Sequence, residues 1–155
     1  MTAATLYDWL LFGHVVAAMV WLGGGVLLAA QAILTVRSAD PAAVTRFVRS
    51  LRVLGPVVLA PATIAVAALG VWLVLDSAAW DFGQTWVQVA LGLFAVAFVV
   101  GAVHQSRAAI GAQRAVDDGD EPEARRQLAR WCAGYAAIVL VLVAIAWDMV
   151  FKPGL

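Results

Sequence analysis

The sequence predicts an all-α integral membrane protein, a four-helix bundle with both termini extracytoplasmic, and three observations carry that expectation. Of 155 residues, 64% are hydrophobic and only 13% charged, and the mean hydropathy is +0.91, well beyond the range of soluble domains. Apolar runs lie at 9–36, 53–75, 86–104 and 131–151, each near the ~20 residues that cross ~30 Å of hydrocarbon as a helix. They imply spans of about 6–36, 53–75, 86–106 and 130–151 in a single domain over 1–155. No run of strand-length alternating segments separated by turns is present, and lipid tolerates no unpaired backbone, so helices are the remaining solution.

The first span opens near Leu6. Ala30-Gln31-Ala32 has the look of a signal-peptidase site, but no basic stretch precedes Leu6, the apolar run is longer than a signal core, and Arg37 follows as a retaining flank. The segment therefore reads as a retained helix. Within it, HVVAAMVWLGGG (His14 to Gly25) places an imidazole among residues suited to lipid. At 3.6 residues per turn His14 shares a stripe with Tyr7, Leu10, Leu11, Ala17, Ala18, Trp21 and Gly25. Small residues there either let helices pack closely or make room for a planar cofactor. The buried imidazole needs a partner, which is a metal in one case and a hydroxyl or carbonyl in the other.

The second span is preceded by Asp40-Pro41, an N-cap and first-turn pair that starts its helix well before the apolar run. Thr45 to Arg52 is then an amphipathic surface segment, and Gly55-Pro56 and Pro61 remove backbone donors and bend the helix. The third span ends at His104 beside Gln105, Ser106 and Arg107, which read as inner-interface residues. At about 1.5 Å per residue His14 lies roughly 12 Å deep and His104 roughly 28 Å, too far apart in level to be two axial ligands of one iron. The fourth helix is announced by Asp120-Glu121-Pro122-Glu123, an aspartate cap with glutamate at N3, and Asp117 to Arg130 reads as a solvated turn. One cysteine, Cys132, rules out an internal disulfide and a thiolate-only metal cluster.

Arginines 37, 46, 49 and 52 lie between spans one and two and arginines 107, 114, 125, 126 and 130 between three and four, while the loop from Asp76 to Thr85 has no basic residue. The positive-inside rule puts both arginine loops in the cytoplasm. Asp8, Asp76, Asp81 and Asp148 then form an outer acidic rim among Trp9, Trp80, Trp86 and Trp147, an interfacial aromatic belt. A formal net charge of zero suggests no nucleic-acid partner.

His14 followed by Trp21-Leu-Gly-Gly-Gly resembles the first-helix signature of an uncharacterised family of bacterial four-helix integral membrane proteins, and Gly55-Pro56, Gly70-Val-Trp72-Leu and Trp80-Asp-Phe to Trp86 fit it as well. More distantly, the His and Trp-Leu-Gly-Gly arrangement is similar to the copper-resistance D-type membrane domain and the J-type bacterial protoporphyrinogen oxidase. The resemblance implies a multi-pass protein of the bacterial cytoplasmic membrane. It also implies haem b at His14, the one residue that carries over, and the helical stripe of Ala17, Ala18, Trp21 and Gly25 would then be the surrounding cofactor face. The one lysine, Lys152, lies in the outer tail rather than within a helix, and Met1, Met19 and Met149 lack the close spacing of a thioether copper site.

Three functions stay open. A redox protein would ligate haem iron through His14. A permeation protein for copper or another small solute would need a continuous polar path, and between the interfaces the polar residues are chiefly His14, Gln31, Thr63 and Gln88. A non-catalytic scaffold would bind other membrane helices, or further copies of itself, through faces rich in Ala and Gly. No nucleophile–base–acid set, phosphate loop or intramembrane carboxylate pair points to a hydrolase or kinase.

Overall fold

A computed structural model describes residues 4–154. Its four long helices are Leu6–Arg37, Pro41–Asp76, Thr85–Asp117 and Glu121–Phe151, each apolar enough to cross a membrane. Four spans bring both ends of the described chain to one face of the bundle and the two arginine-bearing connections to the other.

Local signals set the helix starts. Thr5 and Asp8 form a reciprocal capping box at the first helix. Asp40 accepts from Ala42 N at 2.9 Å, with Pro41 in the first turn. Its carboxyl is held below the usual carboxylate range by the Arg46 guanidinium and then by the Ala42 N–H. Asp120 accepts from Glu123 N at 3.0 Å. Both cap expectations are met.

The expected solvated turn at 117–130 is shorter than the sequence suggested. Only Asp118 to Asp120 separates the helices, and from Glu121 the chain is already helical. Ala124 and Leu128 on that stretch are fully buried, and Arg125 donates to Val36 O at 2.8 Å, closing the carbonyl end of the first helix. A mixed run of charges thus conceals an inward stripe. On the second helix Val44 and Val48 pack with Ala112, Ala115 and Ala124, which pins the arginine-bearing ends of helices two, three and four together while Arg46, Arg49 and Arg52 face outward.

Toward the membrane centre the packing changes. The first helix packs on the second and fourth, and the fourth on the third, but the membrane halves of the second and third helices are not among the packed pairs. Each of those two helices is π-helical over a short stretch, Gly55–Leu59 and Val100–Gln105. The first follows from Pro56, which has no N–H to donate, so the helix widens instead of breaking. The core runs along the first and fourth helices through Trp21, Leu28, Ala32, Leu128, Trp131, Tyr135 and Ile138.

The outer rim needs one correction. Asp148 is 1% exposed, because it continues the inward stripe of Ile138 and Ile145 on the fourth helix, and it is therefore not part of the outer acidic rim. Trp86 is buried too, in edge contact with Trp80 at 5.3 Å, and the Lys152 ammonium lies 4.9 Å from the Trp80 ring centre.

A groove between the second and third helices

Where the second and third helices diverge, a cavity of about 630 Å³ opens between them, within the size range of small-molecule sites. The π-helical stretches contribute Gly55, Pro56 and Leu59 on one wall and Gly101, Ala102 and Gln105 on the other. Trp21, Trp131, Tyr135 and Ile138 make the floor, Thr63, Ile64, Ala97 and Phe98 the apolar end, and Arg52, Ser106 and Gln113 the arginine-bearing end. Because helical widening displaces side chains locally, π segments recur at functional sites, and here both border the same space.

Gln105 is the anomaly of this groove. It is 8% exposed, and neither its Nε2 nor its Oε1 has a hydrogen-bond partner among the described residues. Leaving buried amide groups unpaired costs about 1–3 kcal/mol each, so the side chain is held where it needs something the protein does not supply. Gly134 on the fourth helix makes the seat: a Cβ there would fall 2.7 Å from Gln105 Oε1 and collide with the His104 ring.

The sequence-nominated residues separate into two groups. His14 Nδ1 lies 3.0 Å from Val66 O on the second helix, and Gly70 gives the ring its room, since a Cβ there would sit 3.0 Å from His14 Cε1. If Nδ1 donates, the opposite nitrogen Nε2 carries the lone pair. Ala17 and Ala18 are half-buried on the same helix. Trp21 is buried in the groove floor with its ring edge-on to Phe94 at 5.7 Å. Gly25 is buried, and the space it leaves is filled by the Tyr135 phenol, whose hydroxyl donates to Trp21 O at 2.8 Å. The small-residue stripe therefore serves close packing at Gly25, while at His14 the imidazole is met by a carbonyl. His104 Nε2 lies 3.2 Å from Arg130 O on the fourth helix, so the two histidines engage different helix pairs.

Thr63 donates to Leu59 O at 2.8 Å and Gln88 to Phe82 O at 3.1 Å, while the carboxyl of Asp148 on the fourth helix has no partner among the described residues. Gln31 is exposed. Among the described residues no three His, Cys, Asp or Glu side chains cluster as a metal site. Met19 is exposed and Met149 half-buried, and Met1 lies outside the described residues. Gln105 escaped the sequence reading because its neighbours are polar. Its spacing from Ala97, Gly101, Ala108 and Ala112 was the available signal, since it places the amide on the inward small-residue stripe.

The model of a family described as "Predicted integral membrane protein (DUF2269)" matches residues 8–153. No curated protein and no solved structure matches the chain.

Proposed function

The chain belongs to the DUF2269 family of integral membrane proteins, and from that premise we propose that it binds a bilayer-dissolved molecule in the groove between its second and third helices. Gln105 carries this reading: its amide has both hydrogen-bonding atoms buried and unpaired on a residue that lines a cavity, and a side-chain rotation toward that cavity would give it a ligand's polar group as partner. The groove is open between two helices, so a ligand reaches it sideways from lipid. On this reading the protein sits in a bacterial cytoplasmic membrane with its arginine-bearing ends in the cytoplasm, as the charge bias requires. Gly101→Leu tests it. A Cβ at Gly101 meets only Ile138 Cδ1, at 3.9 Å, and Gly101 lines the groove, so a larger side chain there starts from open space at the groove wall. Wild-type protein is expected to carry an extractable amphiphile that Gly101→Leu loses at unchanged helical content. Equal ligand loads in the two proteins would refute the groove.

A second reading is a haem b or other redox cofactor on His14, as in the oxidase and copper-resistance domains that the first helix resembles. What favours it is the contact between His14 Nδ1 and Val66 O, since a ring nitrogen donating to a carbonyl fixes the tautomer that leaves Nε2 as a metal ligand. Haem would add redox chemistry at the level of His14, beside Ala17 and Ala18. Protein expressed with ample haem should then show a Soret band that His14→Ala abolishes or shifts and His104→Ala leaves in place. Colourless wild-type protein would leave His14 as a residue that ties the first helix to the second.

A further inference from the structure

The groove has a direction, and its chemistry changes along it. On the third helix its lining runs from Ala97 to Gln113, sixteen residues or about 24 Å at ~1.5 Å each. That is close to one leaflet, about half of the ~40–45 Å of a bilayer with its headgroups. One end is apolar, with Ile64 and Phe98, and the other polar, with Arg52, Ser106 and Gln113. Arg52 is exposed and is absent from the three ion pairs formed among the described residues, which use Arg46, Arg125 and Arg126.

The two polar features lie at different levels. Val48 packs with Ala112 in one small cluster, and four residues further into the membrane along each of these antiparallel helices Arg52 comes near the level of Ala108, with Gln105 three residues, about 4–5 Å, deeper. A glycerolipid has this layout: an anionic phosphate at the headgroup level, ester carbonyls just beneath it, then acyl chain. Both amide atoms of Gln105 are closed off as the side chain stands, so a rotation of the side chain toward the groove would bring Nε2 to donate to an ester carbonyl.

Resting on the groove reading above, we infer that the ligand is an anionic glycerolipid of the leaflet at the arginine-bearing end, its phosphate on Arg52, its ester carbonyl on Gln105 and one chain along the Ile64–Phe98 end. A cationic mouth in that leaflet selects anionic over zwitterionic headgroups.

The test uses the full chain in detergent and native mass spectrometry of bound lipid. The probes are phosphatidylglycerol, phosphatidylcholine with the same acyl chains, and an ether-linked phosphatidylglycerol that lacks the ester carbonyls. Wild type is expected to prefer phosphatidylglycerol to phosphatidylcholine about tenfold, the scale of one charge-assisted hydrogen bond. Arg52→Gln should erase that preference, and Gln105→Leu should erase the preference for ester over ether lipid. The ester–ether comparison on wild type alone keeps the amide contact falsifiable if Gln105→Leu misfolds. Equal binding of both headgroups by wild type, still lost in Gly101→Leu, would overturn the anionic-lipid inference and leave the groove standing. Lipid binding unaffected by Gly101→Leu would overturn both.

Discussion

Replacing Gly25 by alanine is the sharpest test of how the bundle is held together. A Cβ at Gly25 would occupy the space of the Tyr135 phenol, so the ring must move. Movement breaks the hydroxyl's 2.8 Å bond to Trp21 O and disturbs its stack on Trp131, now at 5.5 Å and 17° between planes. Overpacking of this kind costs about 1–3 kcal/mol, and an orphaned buried hydroxyl about 1–3 kcal/mol more. The expected loss is therefore about 2–6 kcal/mol, a large share of the ~5–15 kcal/mol that folded domains hold. The assay is reversible unfolding in mixed micelles of rising SDS fraction, with two alanine controls. A Cβ at Gly24 meets only Leu59 Cδ2, at 3.6 Å, and one at Gly23 meets nothing within 4 Å, so both should cost less than about 1 kcal/mol. Because the clash is with one side chain, Gly25→Ala should become nearly neutral on a Tyr135→Leu background, a coupling that a double-mutant cycle reads directly. If Gly25→Ala costs no more than Gly24→Ala, or if its cost persists without the tyrosine, the close approach of the first and fourth helices is wrong.

Gly134→Ala should destabilise as well, by about 1–3 kcal/mol, and should lower lipid occupancy with it, because the new methyl displaces both His104 and Gln105; unchanged occupancy would uncouple the amide from the groove. Asp148→Asn should raise the free energy of unfolding in SDS at neutral pH by about 1 kcal/mol or more, since a carboxyl 1% exposed has no partner for either oxygen among the described residues and an unpaired buried charge is expensive. A single cysteine at Ser77 should react with an impermeant reagent in intact cells while one at Ser38 or Gly119 does not, in a Cys132→Ala background; the reverse pattern would invert the topology. Asp40, with its carboxyl held low by Arg46 and Ala42, supports the start of the second helix above the ordinary carboxylate range and loses that support as pH falls through it, below about 4. Amide exchange at Ala42 and Ala43 should therefore accelerate on acidification, and Asp40→Ala should remove that pH dependence.

The spans were legible in the sequence because their signal is an average: ~20 apolar residues in a row identify a crossing helix whatever its neighbours. Asp40 and Asp120 were legible because capping is local. What depends on which face meets which helix was not. The Gly25 gap looked like cofactor space because its occupant, Tyr135, is 110 residues away and nothing local announces it. Asp148 looked like a rim residue from its place near a helix end, although its spacing from Tyr135, Ile138 and Ile145 already set it on the buried stripe. The divergence of the second and third helices had no sequence signature beyond Gly55-Pro56 and Pro61, and those residues did not announce the π-helical stretch that follows Pro56.

His14 and Gln105 show why polar character alone misassigns a membrane site. Hydrocarbon does not forbid a polar side chain; it forbids an unsatisfied one. By that criterion His14, conspicuous in the sequence, has Val66 O at 3.0 Å as a partner for Nδ1. Gln105, inconspicuous beside Ser106 and Arg107, is the groove residue whose hydrogen-bonding atoms are left over. The two also sit in different places, His14 bridging the first and second helices and Gln105 on the third-helix wall of the groove, seated against Gly134, so their roles are separable. His14→Ala should lower stability, and any haem content, without altering the preference for ester lipid, while Gln105→Leu should do the opposite. The double variant should show the sum of both effects to within about 0.5 kcal/mol, as distant sites with no shared partner do. Strong coupling between them would mean that the imidazole and the amide serve one ligand, and both the separate groove and the separate histidine site would have to be abandoned.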